Sequence, residues 1–217
     1  MAEENTAKDL QIFCTDVYQL DTDDLELASE LKLELWKKRA ADPEGIYRSN
    51  MSGTWHSKDD VLETCGRAGE KLADIMFKAA MEYAGWFATH PGGNLEMKLS
   101  AWAMMYAKGG YATVHNHPNC QFSAVYYVAG GHESEEKVMA TGDTITPGSI
   151  EFIDTRGAGM TSIKGLNFSP VARIVPKAGR LLVFPSWLPH FVHPVDTDDR
   201  ISIACNIRIL KYVLPKE

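Results

Sequence analysis

The hydrophobic periodicity of the chain changes once, near residue 97, and this change limits the folds that it can adopt. Before this point apolar residues recur at helical spacing. After it, short runs rich in β-branched and aromatic residues alternate with Gly, Pro, Asn and Asp, as in "QFSAVYYVA", "GRLLVFP" and "RISIACNIRILKYV". Such runs predict closely spaced antiparallel strands in a sandwich or an open barrel. We therefore expect a mainly β protein: residues 1–97 supply an N-terminal strand and supporting helices, and residues 98–217 supply the β core of the same domain.

Two segments before residue 97 have the features of helices that support this core. Residues 21–39 carry acidic residues in the first turn and basic residues in the last, which suits a helix. The apolar face of this helix is expected to comprise Leu27, Ala28, Leu31 and Leu35. Residues 57–86 form a longer helical pattern, in which Ser57 and Asp60 resemble a capping box. Residues 11–20 have the pattern of a strand.

Composition argues against two classes of partner. The net charge of -7 comes from 22 basic and 29 acidic residues without a basic cluster, so we expect no nucleic-acid partner. No stretch approaches the roughly 18 uninterrupted apolar residues that a membrane span requires, and the acidic start lacks the pattern of a secretory signal. A cytoplasmic protein is therefore expected. The four cysteines contain no C-x-x-C pair and are expected to be free thiols: Cys14, Cys65, Cys120 and Cys205.

The segment "YATVHNHPNC" places His115 and His117 one residue apart on an expected strand. Residues i and i+2 of a strand point to the same side, so the two imidazoles are available together to a divalent metal such as iron, zinc, copper or nickel. Two ligands form a weak site, and a third is expected from elsewhere. The segment "FPSWLPHFVHP" offers two candidates, His190 and His193. The remaining histidines, His56, His90 and His132, lie in contexts with no convergent ligands nearby.

The strand "RISIACNI" carries polar side chains on one face and apolar side chains on the other. Arg200, Ser202 and Asn206 alternate with isoleucines and a cysteine, so the polar face is expected to line a cavity. A guanidinium in a cavity requires an anion, and a carboxylate binds it through two parallel hydrogen bonds. The alternative is that Arg200 lies at an exposed strand start and pairs with a neighbouring acid, Asp198 or Asp199. The same alternation places Ser123 and Tyr127 on one face of "QFSAVYYVA", toward the same cavity.

Four segments together resemble the iron(II)- and 2-oxoglutarate-dependent oxygenases, in particular the prolyl-hydroxylase-like branch and a group of uncharacterised bacterial and phage proteins. They are "HNHPN", "FSAVYYV", "GRLLVFPSWLPHFVHPV" and "RISIACNI", which occur in the family's order over residues 100–208. The resemblance implies a double-stranded β-helix core, a jelly-roll or cupin-like arrangement. It also implies iron(II), 2-oxoglutarate and O2 as cofactor and cosubstrates, with hydroxylation of a small molecule or peptide and release of succinate and carbon dioxide.

The resemblance also implies roles for individual residues. The family has a distal histidine about ten residues before an arginine, which selects His190 over His193 as the third metal ligand beside His115 and His117. Arg200 is then the anchor for the distal carboxylate of 2-oxoglutarate. The other residues expected at the cosubstrate are Ser202, Tyr127, Ser123 and Asn206. The sequence departs from the family at His117, where Asp or Glu is usual, and this departure changes the charge at the metal.

Two alternatives remain at this point. A cupin also combines H-x-H with a later histidine, although a cupin has a glutamate a few residues after the pair, where this chain has Gln121. A metal-free ligand-binding β-sandwich is the other alternative. Residues 154–170, rich in Gly and Ser, form either a lid over the substrate or an ordinary surface loop. A homodimer is a further expectation, with the acidic N-terminal helices between the subunits.

Overall fold

A long antiparallel sheet forms the centre of the structure, a computed structural model that describes residues 13–89, 92–131, 137–138, 144–156 and 170–214. The helices are α1 (Leu25–Ala41), α2 (Val61–Thr64) and α3 (Gly66–Gly85). The strands are β1 (Tyr18–Asp21), β2 (Met51–His56), β3 (Asn94–His115), β4 (Phe122–Ala129), β5 (Lys137–Val138), β6 (Thr144–Ile145), β7 (Ile150–Ile153), β8 (Val171–Ile174), β9 (Arg180–Pro185), β10 (His190–Val192) and β11 (Arg200–Val213). The mainly β class with N-terminal helices is confirmed.

The strands follow the order β1-β9-β4-β11-β3-β10-β7-β8, with β2 paired to β3, and β5 and β6 pair with each other. β3 connects the two halves of the curled sheet because its first part, Asn94 to Tyr106, pairs with β11 and its end pairs with β10. Gly109 lies between these two parts with a φ of +82°, a conformation that glycine adopts without steric cost. A Cβ on the neighbouring Gly110 would lie 2.5 Å from the carbonyl oxygen of Gly53. Glycine is therefore required where β3 passes from one half of the sheet to the other.

The helices cover the apolar side of this sheet. Helix α1 begins after Asp24, whose side chain accepts a hydrogen bond from the backbone N–H of Leu27. The predicted apolar face of α1 is buried as expected and consists of Leu27, Ala28, Leu31 and Leu35. It shares one core with the isoleucine side of β11, including Ile201 and Ile203. Because strand side chains alternate, burying these isoleucines turns Arg200 and Ser202 to the other side of the sheet.

The segment before α2 differs from the sequence prediction. The capping box is absent: Ser57 accepts a hydrogen bond from the backbone N–H of Ala103 and Asp60 makes no side-chain capping bond. The predicted single helix is interrupted at Cys65, between α2 and α3, and the next residue, Gly66, has a φ of +54°. Strand β2 was not predicted at all. Tertiary pairing explains strand β2 and the missing cap, because the chain before α2 pairs with β3 and Ser57 extends this contact.

The remaining expectations on architecture concern the membrane and the loop over the core. Within the described parts of the chain, no helix is long and apolar enough to cross a membrane. Most of the expected lid, residues 157–169, lies outside the described residues, as do His90 and His132. The N-terminal segment contributes directly to the central sheet, since β1 pairs with β9 and β2 pairs with β3.

Candidate metal and cosubstrate site

Three histidines converge at one end of the curled sheet. The ligand atoms of His115, His117 and His190 all lie within 4.8 Å of one another. His115 is the last residue of β3, and its backbone pairs with His190, the first residue of β10. His117 lies beyond the end of β3, where its backbone N–H donates to the carbonyl oxygen of Ser186 at 2.9 Å. The two residues of the H-x-H pair therefore converge although only the first belongs to the strand.

Each of the three imidazoles has an oxygen acceptor at Nδ1. Since a carbonyl or amide oxygen can only accept, Nδ1 carries the proton and the lone pair is left on Nε2. The acceptors are the backbone oxygen of Thr113 for His115 at 2.7 Å, the backbone oxygen of Leu188 for His190 at 2.9 Å, and the side-chain oxygen of Asn206 for His117 at 2.9 Å. Partners of this kind orient histidines that bind metals. The three residues therefore share the tautomer that presents Nε2 to a metal ion.

Burial keeps these histidines neutral. Burial, together with the neighbouring His115, lowers the pKa of His190 to about 3 and the pKa of His117 to about 4. The pKa of His115 is also lowered, again by burial. A protonated imidazole cannot bind a metal, so the site is in the ligand-competent state at neutral pH.

A narrow cavity extends from the histidines into the sheet and reaches Arg200. Arg200 is 1% exposed, and its Nε donates to the carbonyl oxygen of Gly148 at 2.9 Å. Its guanidinium lies 4.5 Å from the ring centre of Tyr106 and 5.5 Å from that of Tyr127. One Nη donates to the Ser202 hydroxyl at 3.3 Å. This guanidinium is thus held by neutral groups, with its position fixed by the strand β11.

The acids next to Arg200 in sequence bind elsewhere. Asp198 accepts a hydrogen bond from the backbone N–H of Lys108, and Asp199 forms an ion pair with Lys32. The exposed pairing considered for Arg200 from the sequence is therefore wrong. A buried cation without a carboxylate partner among the described residues is energetically costly, and a bound anion would remove that cost.

The other residues expected at the cosubstrate fall into two groups. Ser202 and Tyr127 line the cavity, and the Tyr127 hydroxyl is buried without a hydrogen-bond partner among the described residues. Burial raises the pKa of Tyr127 to about 12, so it stays a neutral donor. Asn206 binds His117, as described above. Ser123 is buried on β4 opposite Asn206, outside the lining of the cavity.

Trp102 lines the same cavity and was not singled out from the sequence. Its ring stacks on His117 with 5.8 Å between ring centres and on His56 with 5.7 Å. The indole N–H is buried and has no acceptor among the described residues. The sequence did carry a signal for this position. Trp102 alternates with Met104 and Tyr106, so strand geometry places all three on the inner face of β3.

His193 lies outside the cluster. Its Nε2 is 2.8 Å from Glu151, a buried carboxylate that also forms an ion pair with Arg173. Gln121, at the position of the cupin glutamate, accepts a hydrogen bond from the backbone N–H of Ile209 at 2.7 Å. Neither residue belongs to the group that could hold a metal.

Comparison with known proteins agrees with this geometry. Residues 100–206 match the family model described as putative 2OG-Fe(II) oxygenase. No curated protein matches the chain in sequence. The histidine cluster, the buried arginine and the curled sheet agree with the residues that this family model matches. Over this segment, just under half of its length, the chain matches the 2OG-Fe(II) oxygenase family in sequence, and its fold is similar to that of solved oxygenases.

Three solved structures illustrate the shared fold. A prolyl-4-hydroxylase from Pseudomonas putida is 19% identical, with a TM-score of 0.64 over 89% of this chain and 92% of that one. A prolyl hydroxylase from Trichoplax adhaerens, in complex with a peptide fragment of the hypoxia inducible factor oxygen degradation domain, is 12% identical, with a TM-score of 0.63 over 88% and 83%. HygX from Streptomyces hygroscopicus, with nickel, 2-oxoglutarate and hygromycin B bound, is 11% identical, with a TM-score of 0.57 over 89% and 83%.

Proposed function

We propose that this protein is an iron(II)- and 2-oxoglutarate-dependent dioxygenase that hydroxylates an organic substrate and releases succinate and carbon dioxide. The observation that carries this proposal is the buried guanidinium of Arg200. It shares one cavity with three metal-competent histidines, and the part of the chain that the structure describes offers it no carboxylate partner. A dicarboxylic acid that also binds a metal satisfies both features at once.

The histidine cluster fits a divalent iron ion. His115, His117 and His190 would hold it through Nε2, since their Nδ1 atoms are engaged by oxygen acceptors. When bound, iron(II) supplies the activation of dioxygen that is coupled to oxidative decarboxylation of the cosubstrate. The protein's own part is to fix the imidazoles and to keep them neutral.

Arg200, Ser202 and Tyr127 would bind the distal carboxylate of 2-oxoglutarate. A charged donor and two hydroxyl groups surround the deep end of the cavity, and hydrogen bonds to an ionised carboxylate are stronger than neutral ones. Apolar side chains, among them Val125 and Phe184, form the walls between this end and the histidines. They would exclude water from the cosubstrate and fix its orientation.

The primary substrate would occupy a second, wider cavity beside the histidines. This cavity has a volume of about 730 Å³, and its lining includes Phe152, Trp187 and Leu188. Phe152 is 5.8 Å from the ring centre of His190, and Leu188 supplies the acceptor for that histidine. Of the proteins with this fold, one is bound to a peptide fragment and another to hygromycin B, so we consider both a peptide and a small molecule as substrate classes.

The two alternatives fit the site less well. A cupin has no use for a buried arginine ten residues after its last histidine, and Gln121 is engaged with the backbone of β11. A metal-free sandwich does not explain why three neighbouring histidines share the tautomer that presents Nε2 to one point. The family match over residues 100–206 also supports the oxygenase.

Anaerobic titration tests the proposal directly. Iron(II) added to the metal-free protein should bind tightly, and subsequent 2-oxoglutarate should produce a visible charge-transfer absorption. Admission of oxygen should then yield succinate. Iron binding without a 2-oxoglutarate-dependent absorption would favour the cupin alternative, and the absence of iron binding would favour the metal-free sandwich.

A further inference from the structure

The described lining of the cavity around the histidine cluster carries a net positive charge. Arg200 is the only charged side chain among the described residues that line it, because the three histidines are neutral. Two acids are neighbours in sequence of lining residues: Asp199, next to Arg200, pairs with Lys32, and Glu151 lies between the inward-facing Ile150 and Phe152 on β7. The Glu151 carboxylate points to the outer side and is engaged by Arg173. No acid of the described lining therefore offsets the arginine.

Loading the site leaves this balance positive. A divalent metal ion and the guanidinium of Arg200 carry three formal positive charges, and dianionic 2-oxoglutarate neutralises two of them. A carboxylate at position 117 would neutralise the third, but the chain has a neutral imidazole there. The surplus charge is buried, where unpaired charges are costly.

Trp102 supplies a hydrogen-bond donor beside this surplus charge. Its ring stacks on His117, it is 8% exposed, and its indole N–H has no acceptor among the described residues. A buried donor without a partner costs free energy, and an anion next to His117 would accept its hydrogen bond. The unpartnered N–H of Trp102 is a separate observation from the surplus positive charge, and both indicate an anionic ligand.

We propose that the pocket loaded with metal and 2-oxoglutarate binds one further monoanion next to His117, with the Trp102 N–H as a donor. The anion is either a small free ion or an anionic group of the primary substrate. The site depends on the proposed function, because the surplus charge lies beside His117 only when the histidines hold a metal ion and 2-oxoglutarate neutralises Arg200.

The experiment uses full-length protein loaded with cobalt(II) and saturated with 2-oxoglutarate under anaerobic conditions. Sodium formate is titrated at constant ionic strength, maintained with a bulky sulfonate buffer, while the cobalt absorption bands are followed. We expect a saturable change in the wild-type complex. In His117→Asp, which adds the missing negative charge, formate affinity should fall at least about 10-fold. In Trp102→Phe, which keeps the stacked ring but removes the donor, it should fall by about 10-fold.

The outcomes separate the monoanion site from the proposed function. Calorimetry first establishes that 2-oxoglutarate binds to the cobalt protein, and its failure to bind would overturn both. With 2-oxoglutarate bound, the monoanion site is refuted if the wild-type spectrum does not respond to formate, or if His117→Asp responds with equal affinity. Should His117→Asp fail to take up cobalt, Trp102→Phe decides alone, and unchanged formate affinity refutes the site.

The apparent affinity distinguishes the two sources of the anion. Saturation at about 10 mM formate or less supports a small free ion as the ligand. Saturation only above about 100 mM, with weaker binding still seen in His117→Asp and Trp102→Phe, supports an anionic group of a larger substrate. Such a group gains affinity from the rest of the molecule to which it is attached.

Discussion

The side-chain oxygen of Asn206 on β11 lies 2.9 Å from Nδ1 of His117. This contact joins the strand that carries Arg200 to the histidine that stands where related oxygenases have a carboxylate. It fixes the His117 tautomer, whereas a carboxylate at position 117 needs no tautomer to be fixed. We therefore propose that Asn206 positions His117 in a site built on three imidazoles, in place of its expected role at the cosubstrate.

Removal of the Asn206 acceptor should weaken metal binding only while residue 117 is histidine. We expect Asn206→Leu to reduce iron(II) affinity by about 10-fold, because loss of a partner that orients a ligand has effects of this size. In the His117→Asp background the same change should cost much less. Competition with a chelator measures both affinities, and Asn206→Asp, which keeps an acceptor, is the matched control. Equal losses in both backgrounds would contradict the coupling.

His190 and His193 should respond differently to substitution. His190→Ala removes a ring from the cluster, so iron content should fall sharply while the outer ion pairs of β7 persist. His193→Ala should leave iron content intact and lower the free energy of unfolding by about 1–3 kcal/mol, because buried Glu151 loses a hydrogen bond. Metal analysis and urea unfolding of both variants provide the two readouts. The reverse ranking in metal content would show that His193 is the ligand.

Arg200 should control the affinity for 2-oxoglutarate without controlling the affinity for the metal. Arg200→Ala should weaken 2-oxoglutarate binding by about 2–4 kcal/mol, since the distal carboxylate loses a buried charged partner. Arg200→Lys should weaken it less, because a lysine retains the charge but not the planar pair of donors. Calorimetry with the metal-loaded variants gives the affinities. Unaltered affinity in Arg200→Ala would remove the main support for the proposed function.

The alternation of β11 made part of this site predictable from the sequence. The pattern of Arg200 and Ser202 against Ile201 and Ile203 depends only on strand geometry, and the structure has this alternation. The helix α1 was predictable for a similar reason, since its apolar face follows a local period. Local periodicity is retained whenever a segment packs on a core.

Other parts depend on contacts between distant segments and leave little local signal. Ser57 has the spacing of a helix cap, but the pairing of β2 with β3 directs its hydroxyl to Ala103. The contact of Asn206 with His117 joins residues 89 positions apart, and each residue alone is compatible with several roles. The stacking of Trp102 on His117 likewise depends on how the chain turns after β3.

Acidification should destabilise the metal-free protein in a window between about pH 6.5 and 4. Burial lowers the pKa of His117 to about 4 and that of His190 to about 3, from the ordinary histidine value of 6.5. Below pH 6.5 the unfolded chain therefore binds protons that the folded protein does not, so the free energy of unfolding decreases as the pH falls. Burial also lowers the pKa of His56, so this histidine contributes to the same loss of stability as the pH falls.

The acidic residues do not obscure this window. The Asp21 carboxyl has its pKa lowered to about 2, mainly by its hydrogen bond with Arg180, so its contribution is lost only below its unfolded value of 3.8. Urea unfolding of chelator-treated protein at pH 7.5, 6.5, 5.5 and 4.5 gives the profile. We expect a decline in the wild type and a shallower decline in His190→Gln, which removes the histidine with the lowest pKa. A profile that is flat or that rises toward pH 4.5 would show that these histidines are not held neutral by burial.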